Sequence, residues 1–214
     1  MQYVNIHRPK QIRSRQTLQR ITQASLELIA QRGVERTTIN EIVRRANSSV
    51  GSFYARFEGK EDLLAYLDDR IWENAEKRWI EARDGQWNSR SVSEIVTGLA
   101  KLYAELELMH QAARKALAQA LRGPGAGPSE PALRFKAKLL EDSRQLLLNR
   151  TKTISHPSPE IAIETTCRSL EACAFSLEPP ILADLCAALV FNLTGEHHRS
   201  ESPPKDVEFF DIWG

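Results

Sequence analysis

At 214 residues the chain can form one compact unit or two modest ones, and 42% hydrophobic with 27% charged residues, ten Gly and ten Pro excludes disorder as the default. No stretch approaches the roughly 18 apolar residues of a membrane span, and the start, MQYVNIHRPKQIRSRQ, lacks the apolar run of a signal peptide, so a cytoplasmic protein is expected. The net charge of +1 is uneven: residues 1–60 hold eleven Lys or Arg against four acids, a balance of +7, and the remainder holds 18 against 24, a balance of −6. A basic head on an acidic body directs one end of the molecule toward a polyanion.

Apolar residues recur at helical spacing, and no segment alternates as a half-buried strand would, so the fold is expected to be all-α. Leu18, Ile21, Ala24, Leu28 and Ile29 share one face of a first helix running from about Ser14 to Gly33, a residue suited to a C-cap. Thr38, with Glu41 three residues on, forms a capping box that opens a second helix, and Ile39, Ile42, Val43 and Ala46 repeat the apolar face. Asn47, Ser48 and Ser49 follow as a turn, where Asn tolerates a left-handed backbone, and Val50, Phe53, Tyr54 and Phe57 make a third apolar face. A helix of about nine residues, a short turn and a helix of about eight match the helix-turn-helix plan.

Longer helices are expected at about 61–83, 91–108, 111–121, 131–150, 159–177 and 180–193, with breaks at RGPGAGPSEP (122–131), HPSP (156–159) and EPP (178–180). The first of these follows KEDLL without Gly or Pro and carries Trp72 and Trp79, so one helix links the head to the body. The expected organisation is a head with a basic arm over 1–60, a helical body over 61–195, and a polar tail over 196–214.

On the third helix Phe53 and Phe57 point inward, and the opposite arc carries Gly51, Ser52, Ala55 and Arg56. So small a face lets a helix sink into the major groove until short polar groups approach base edges. Tyr54, Arg56 and Lys60, with Thr38 at the positive end of the second helix, are candidate phosphate partners that would fix register. A generic helical core with a solvated surface explains the same spacing without DNA.

The stretch from Arg20 to Leu64, with RG at 32–33, TTINEIVRRA at 37–46, SVGSFYARF at 49–57 and KEDLL at 60–64, resembles the DNA-binding domain of the TetR family. The resemblance implies a three-helix head, a divergent helical body that dimerises and holds a small-molecule pocket, and repression of transcription at operator DNA. It also implies base-edge contacts from Ser49, Val50, Gly51 and Ser52, and phosphate contacts from Thr38, Tyr54, Arg56 and Lys60. Val50 sits on the rim of the core, where it either meets a thymine methyl or packs inward. Where the family usually has Gly-Val after the alanine of the second helix, this chain has Asn47 and Ser48, and a Ser in place of a buried Val weakens the small core.

In the body, Ile161, Thr165, Cys167, Leu170, Ala174 and Leu177 on one helix, and Ile181, Leu182, Leu185, Ala188, Leu189 and Leu193 on the next, are candidates for the seam of a homodimer. The same faces could instead close the monomer core. Trp72, Trp79, Tyr103, His110, Arg114 and Phe135 are candidate ligand contacts on the middle helices, although core or surface is the more ordinary place for each.

Cys167, Cys173 and Cys186 lack CxxC spacing and read as free thiols, and His197 and His198 lack further ligands, so no metal site is expected. No cofactor fingerprint is present, nor GxSxG, P-loop, HExxH or GxGxxG, so an enzyme is not expected. A helical module that offers its basic head to acidic proteins or membranes is the other alternative. Salt-dependent, sequence-preferring binding to duplex DNA separates a transcription factor from both.

Overall fold

The structure, a computed structural model, describes residues 12–85, 87–108, 110–174 and 176–196. These form nine α-helices: α1 (Ile12–Arg32), α2 (Ile39–Arg45), α3 (Val50–Tyr54), α4 (Lys60–Gly85), α5 (Val92–Leu108), α6 (Gln111–Arg122), α7 (Glu130–Leu148), α8 (Pro159–Cys173) and α9 (Pro179–Thr194). The fold is all-α, as the helical periodicity requires. The basic arm before Ile12 and the tail holding His197 and His198 lie outside the described residues.

The chain forms two compact units. In its described residues the first comprises 12–74 and 110–133, so it contains α1, α2, α3, the first part of α4 and α6. Its core is built by Ile21, Leu28, Ile29, Ile42, Phe53, Phe57, Leu63, Leu67 and Ile71, all buried, and α6 packs on α1 while burying Ala113 and Leu117. α1 ends at Gly33, whose φ of +82° is a conformation that glycine adopts without strain. Asp68, nearly buried on α4, is paired with Arg122 at the end of α6 (3.1 Å).

The second unit holds the rest of α4 and α5, most of α7, and α8 and α9. α5 is central, packed by both α8 and α9. Trp79 and Trp87 are fully buried with their rings edge to face at 5.3 Å, and the Arg90 guanidinium lies 4.8 Å from the Trp87 ring centre. Arg150 braces the same corner by donating to the carbonyls of Arg90 (2.6 Å) and Trp87 (2.9 Å).

Helix ends depart from the sequence expectation where loops have partners of their own. α8 stops at Cys173, short of Leu177, as Ser176 turns back on the Cys173 carbonyl (3.0 Å). α7 stops at Leu148, short of Arg150, and continues as a single tight turn over Thr151–Thr153. α2 and α3 are shorter than expected, at seven and five residues.

Along the last two helices, the residues expected at a seam divide between the inside of the unit and its surface. Cys167, Leu170, Ala174, Leu189 and Leu193 are buried inside the unit, where the i, i+3, i+4 spacing that suggested a seam serves the monomer core. Ile161 (66% exposed), Thr165, Ile181 (53%) and Ala188 face outward, joined by Phe191 (43%), while Leu177, Leu182 and Leu185 are half-buried.

Candidate nucleic-acid interface

The helix-turn-helix is fixed locally at each joint. Thr38 caps α2: its Oγ accepts from the Glu41 N–H (3.3 Å), while the Glu41 carboxylate accepts from the Thr38 N–H (3.1 Å) and hydroxyl (2.8 Å). This reciprocal box satisfies donors that the start of a helix otherwise leaves unpaired. Those hydrogen bonds from Thr38 hold the Glu41 carboxyl below its ordinary value, and Arg32 adds an ion pair at 2.8 Å.

After Ala46, Asn47 takes φ +46°, the left-handed turn that Asn tolerates. Ser48 then donates its N–H to the Val43 carbonyl (2.8 Å), but its own hydroxyl oxygen is buried without a partner. That buried, unpaired hydroxyl is the local weakness expected from a Ser at this position. Ser49 caps α3, its Oγ accepting from the Ser52 N–H (3.1 Å) and lying 3.0 Å from the Ser52 Oγ.

Phe53 and Phe57 are buried, and Tyr54 stands edge-on to Phe53 at 5.4 Å with more than half of its surface exposed. Val50 turns outward, 41% exposed, rather than into the core. Gly51 and Ala55 are exposed beside it, and Ser52 is half-buried. A Cβ added to Gly51 would find only the Ser49 Oγ, at 3.9 Å, and the backbone there is not in the left-handed region. Nothing in the folded chain therefore requires glycine at this position, although glycine inside a helix is destabilising by roughly 0.5–1 kcal/mol relative to Ala.

The expected phosphate partners are held differently from one another. Tyr54 presents its ring to solvent, whereas the Thr38 hydroxyl is engaged with Glu41. Lys60, the first residue of α4, donates to the Val34 carbonyl (2.6 Å) through one of its three N–H groups. Arg56 is turned inward, with Nη2 on the Ser14 carbonyl (3.1 Å) and hydroxyl (2.8 Å) and Nη1 on the Ser52 carbonyl. These tertiary bonds, like the Arg45–Glu27 ion pair between α2 and α1, join residues far apart in sequence and left no local signal.

The candidate ligand contacts divide between the units. In the first, Trp72 is buried under the Arg114 guanidinium, 4.8 Å from the ring centre, and His110 opens α6 with φ +48°, its pKa pushed down by burial and by Arg114. In the second, Trp79 donates its Nε1–H to Asp142 (2.8 Å), and Phe135 is core. Tyr103 is buried, and burial pushes its pKa up. A half-open groove of about 390 Å³ on the same unit is lined by Arg144, Leu148, Glu160, Ile161, Ile163, Glu164 and Thr165, and by none of the six candidates.

Burial pushes the Cys167 thiol up to about 12 and the Cys186 thiol up to about 11. Both therefore stay protonated at neutral pH, and neither is a ready nucleophile. Among the described residues no three His, Cys, Asp or Glu stand together as metal ligands, and no helix is long and apolar enough to cross a membrane.

A capped helix, a left-handed Asn turn and a short second helix with a thin outward face, set in a helical chain, have the geometry of a helix-turn-helix. Residues 21–67 match the family model described as bacterial regulatory proteins, tetR family. An uncharacterized HTH-type transcriptional regulator of Bacillus subtilis, YvdT, is 30% identical over 53 residues, which are 25% of this chain and 27% of that relative, so the match spans about a quarter of either length.

Solved structures extend the likeness in fold over the body. A gamma-butyrolactone receptor, an ArpA-like protein, aligns over 85% of this chain and 90% of its own with 24% identity and a TM-score of 0.55. The regulator FadR of Bacillus subtilis, solved with stearoyl-CoA, aligns over 84% of this chain and 100% of its own with 15% identity and a TM-score of 0.54.

Proposed function

We propose that the protein is a cytoplasmic repressor, not an enzyme, that binds an inverted-repeat operator as a homodimer and is released by a small molecule. The observation that carries the DNA-binding reading is the outward face of α3, where Gly51 stands in open helical space between exposed Val50 and Tyr54. In this reading Ser49, Val50, Gly51 and Ser52 meet base edges, and Thr38, Tyr54 and Lys60 meet phosphates. In this reading the DNA-binding domain is the stretch 1–60 completed by the start of α4 and by α6, and the remaining helices up to 195 dimerise and hold the ligand.

Dimerisation is supported by α9, which is apolar on both sides: Cys186, Leu189, Val190 and Leu193 face inward while Ile181, Ala188 and Phe191 are exposed. Apolar residues on both its inner and outer sides suit a helix packed between two partners. Paired about a twofold axis, two heads read half-sites about one helical turn apart. A gamma-butyrolactone receptor and an acyl-CoA-bound regulator among the similar structures support a small-molecule effector, and the proposed class is a largely apolar, cell-permeant compound. Such a compound lowers operator affinity by the ratio of its affinities for the two states, and DNA lowers ligand affinity equally.

The test is selection of bound fragments from the source genome by the full-length protein, followed by footprinting. The expected result is recovery of a common inverted repeat with affinity that falls as salt rises. Fragments with no shared sequence, or binding indifferent to salt, would remove the operator-binding reading.

A further inference from the structure

Arg56 ends the turn that carries the outward face of α3, where its charge suggests a phosphate contact, yet its guanidinium faces into the protein. Nη1 donates to the Ser52 carbonyl one turn earlier, and Nη2 donates to both the carbonyl and the hydroxyl of Ser14, 42 residues away in the first turn of α1. The Nε–H is buried as well, and burial pushes the guanidinium pKa below its ordinary value. Three acceptors on two helices hold the planar fork in one geometry, which an ammonium on a flexible stem cannot reproduce. A phosphate would have to compete with those bonds for the Nη2 group.

What the fork holds is the start of α1. Ser14 lies between Arg13 and Arg15, both exposed, and Arg8 and Lys10 precede them in the sequence. We infer that Arg56 is a positioning residue: it fixes the first turn of α1 against the end of α3, so that Arg13 and Arg15, rather than Arg56, supply phosphate contacts beside the groove that α3 enters. This rests on the DNA-binding reading of α2 and α3. It explains why a guanidinium stands at position 56 with both Nη groups bonded to acceptors on α1 and α3, and it assigns a DNA-facing role to the part of α1 remote from the helix-turn-helix in sequence.

The test titrates the full-length protein with the genome-selected operator and with a mixed-sequence DNA duplex across a range of salt, with circular dichroism and melting as checks of fold. The Arg13→Gln/Arg15→Gln protein is expected to lower the salt slope by about 0.9 for each phosphate it no longer neutralises. In an Arg56→Lys background the same pair is expected to lower it by clearly less, because the start of α1 is already displaced from the DNA. Ser14→Ala, which keeps Arg56 and the fold, is expected to weaken both duplexes a few-fold.

If Arg56 touches phosphate instead, Arg56→Lys keeps the slope, the effects of the Arg13/Arg15 pair add to it unchanged, and Ser14→Ala leaves binding equal or tighter by freeing the guanidinium. Any of those results overturns the inference while leaving the DNA-binding reading intact. A wild-type protein that shows no salt-dependent binding to either duplex brings down the reading and the inference with it. Should Arg56→Lys fail to fold, Ser14→Ala and the Arg13/Arg15 pair still decide the matter.

Discussion

Two helical glycines separate the head from the body. At Gly51 of α3 an added Cβ meets nothing closer than 3.9 Å, whereas at Gly98 of α5 it meets the Trp87 ring at 2.8 Å and 3.2 Å and the Arg90 guanidinium at 3.1 Å. Gly98 is small because the inside of the molecule demands it: the Trp87 ring is fully buried against Trp79 and has nowhere to go. Gly51 is small although the inside is indifferent. A residue whose identity the fold does not explain is the better pointer to a partner, and the head carries such a residue where the body carries a packing constraint.

The largest expected effect breaks this comparison at the head. Gly51→Leu should leave circular dichroism and the oligomeric state unchanged and abolish the proposed sequence-specific binding, since a branched side chain would hold α3 away from the bases. Normal electrophoretic shifts with this variant would show that the small face is incidental. Next, Leu185→Glu, half-buried on the outward side of α9, sets one charge from each subunit into the proposed seam and should yield monomers that no longer hold operator DNA. Light scattering decides it, and a persisting dimer places the seam elsewhere.

Gly98→Ala tests the other half of the contrast. It should lower stability by about 1–3 kcal/mol through overpacking while leaving the operator affinity of the folded protein unaltered. An unchanged melting curve would mean that Trp87 has room to shift. The smallest effect concerns the cap of α2, where Thr38→Ala should lower stability by about 1 kcal/mol.

The same cap responds to acid. Because the Glu41 carboxyl is held below 4.5 in the folded protein, its contribution is complete above that pH and is lost as pH falls below it. The Thr38→Ala protein should lose less stability than the wild type between neutral pH and the region below 4.5. Parallel acid profiles would show that the capping box contributes nothing to the acid response.

Local chemistry was legible in the sequence and tertiary chemistry was not. The Thr38–Glu41 box, the Gly33 cap, the Asn47 turn and the inward pair Phe53 and Phe57 all follow from residues a few positions apart, and each stands where spacing puts it. Arg56 and Lys60 read as free cations because their acceptors, at Ser14 and Val34, are separated from them by 42 and 26 residues. In the body, helical period located α8 and α9 but not which face turns inward: Leu189 and Ala188 are neighbours of similar apolar character, one buried and one exposed. A helix apolar on both sides erases the very contrast from which a face is inferred.

The first unit is discontinuous in sequence, since α6 returns to pack on α1 after α5 has been completed elsewhere. A head excised at residue 60, or transplanted onto another body, leaves behind Ala113 and Leu117, the Asp68–Arg122 pair and the stretch of α4 that buries Leu63, Leu67 and Ile71. Chimeric regulators built from this chain therefore need residues 110–133 to travel with the head. The exchangeable cassette is defined by packing, and no single cut in the gene can deliver it.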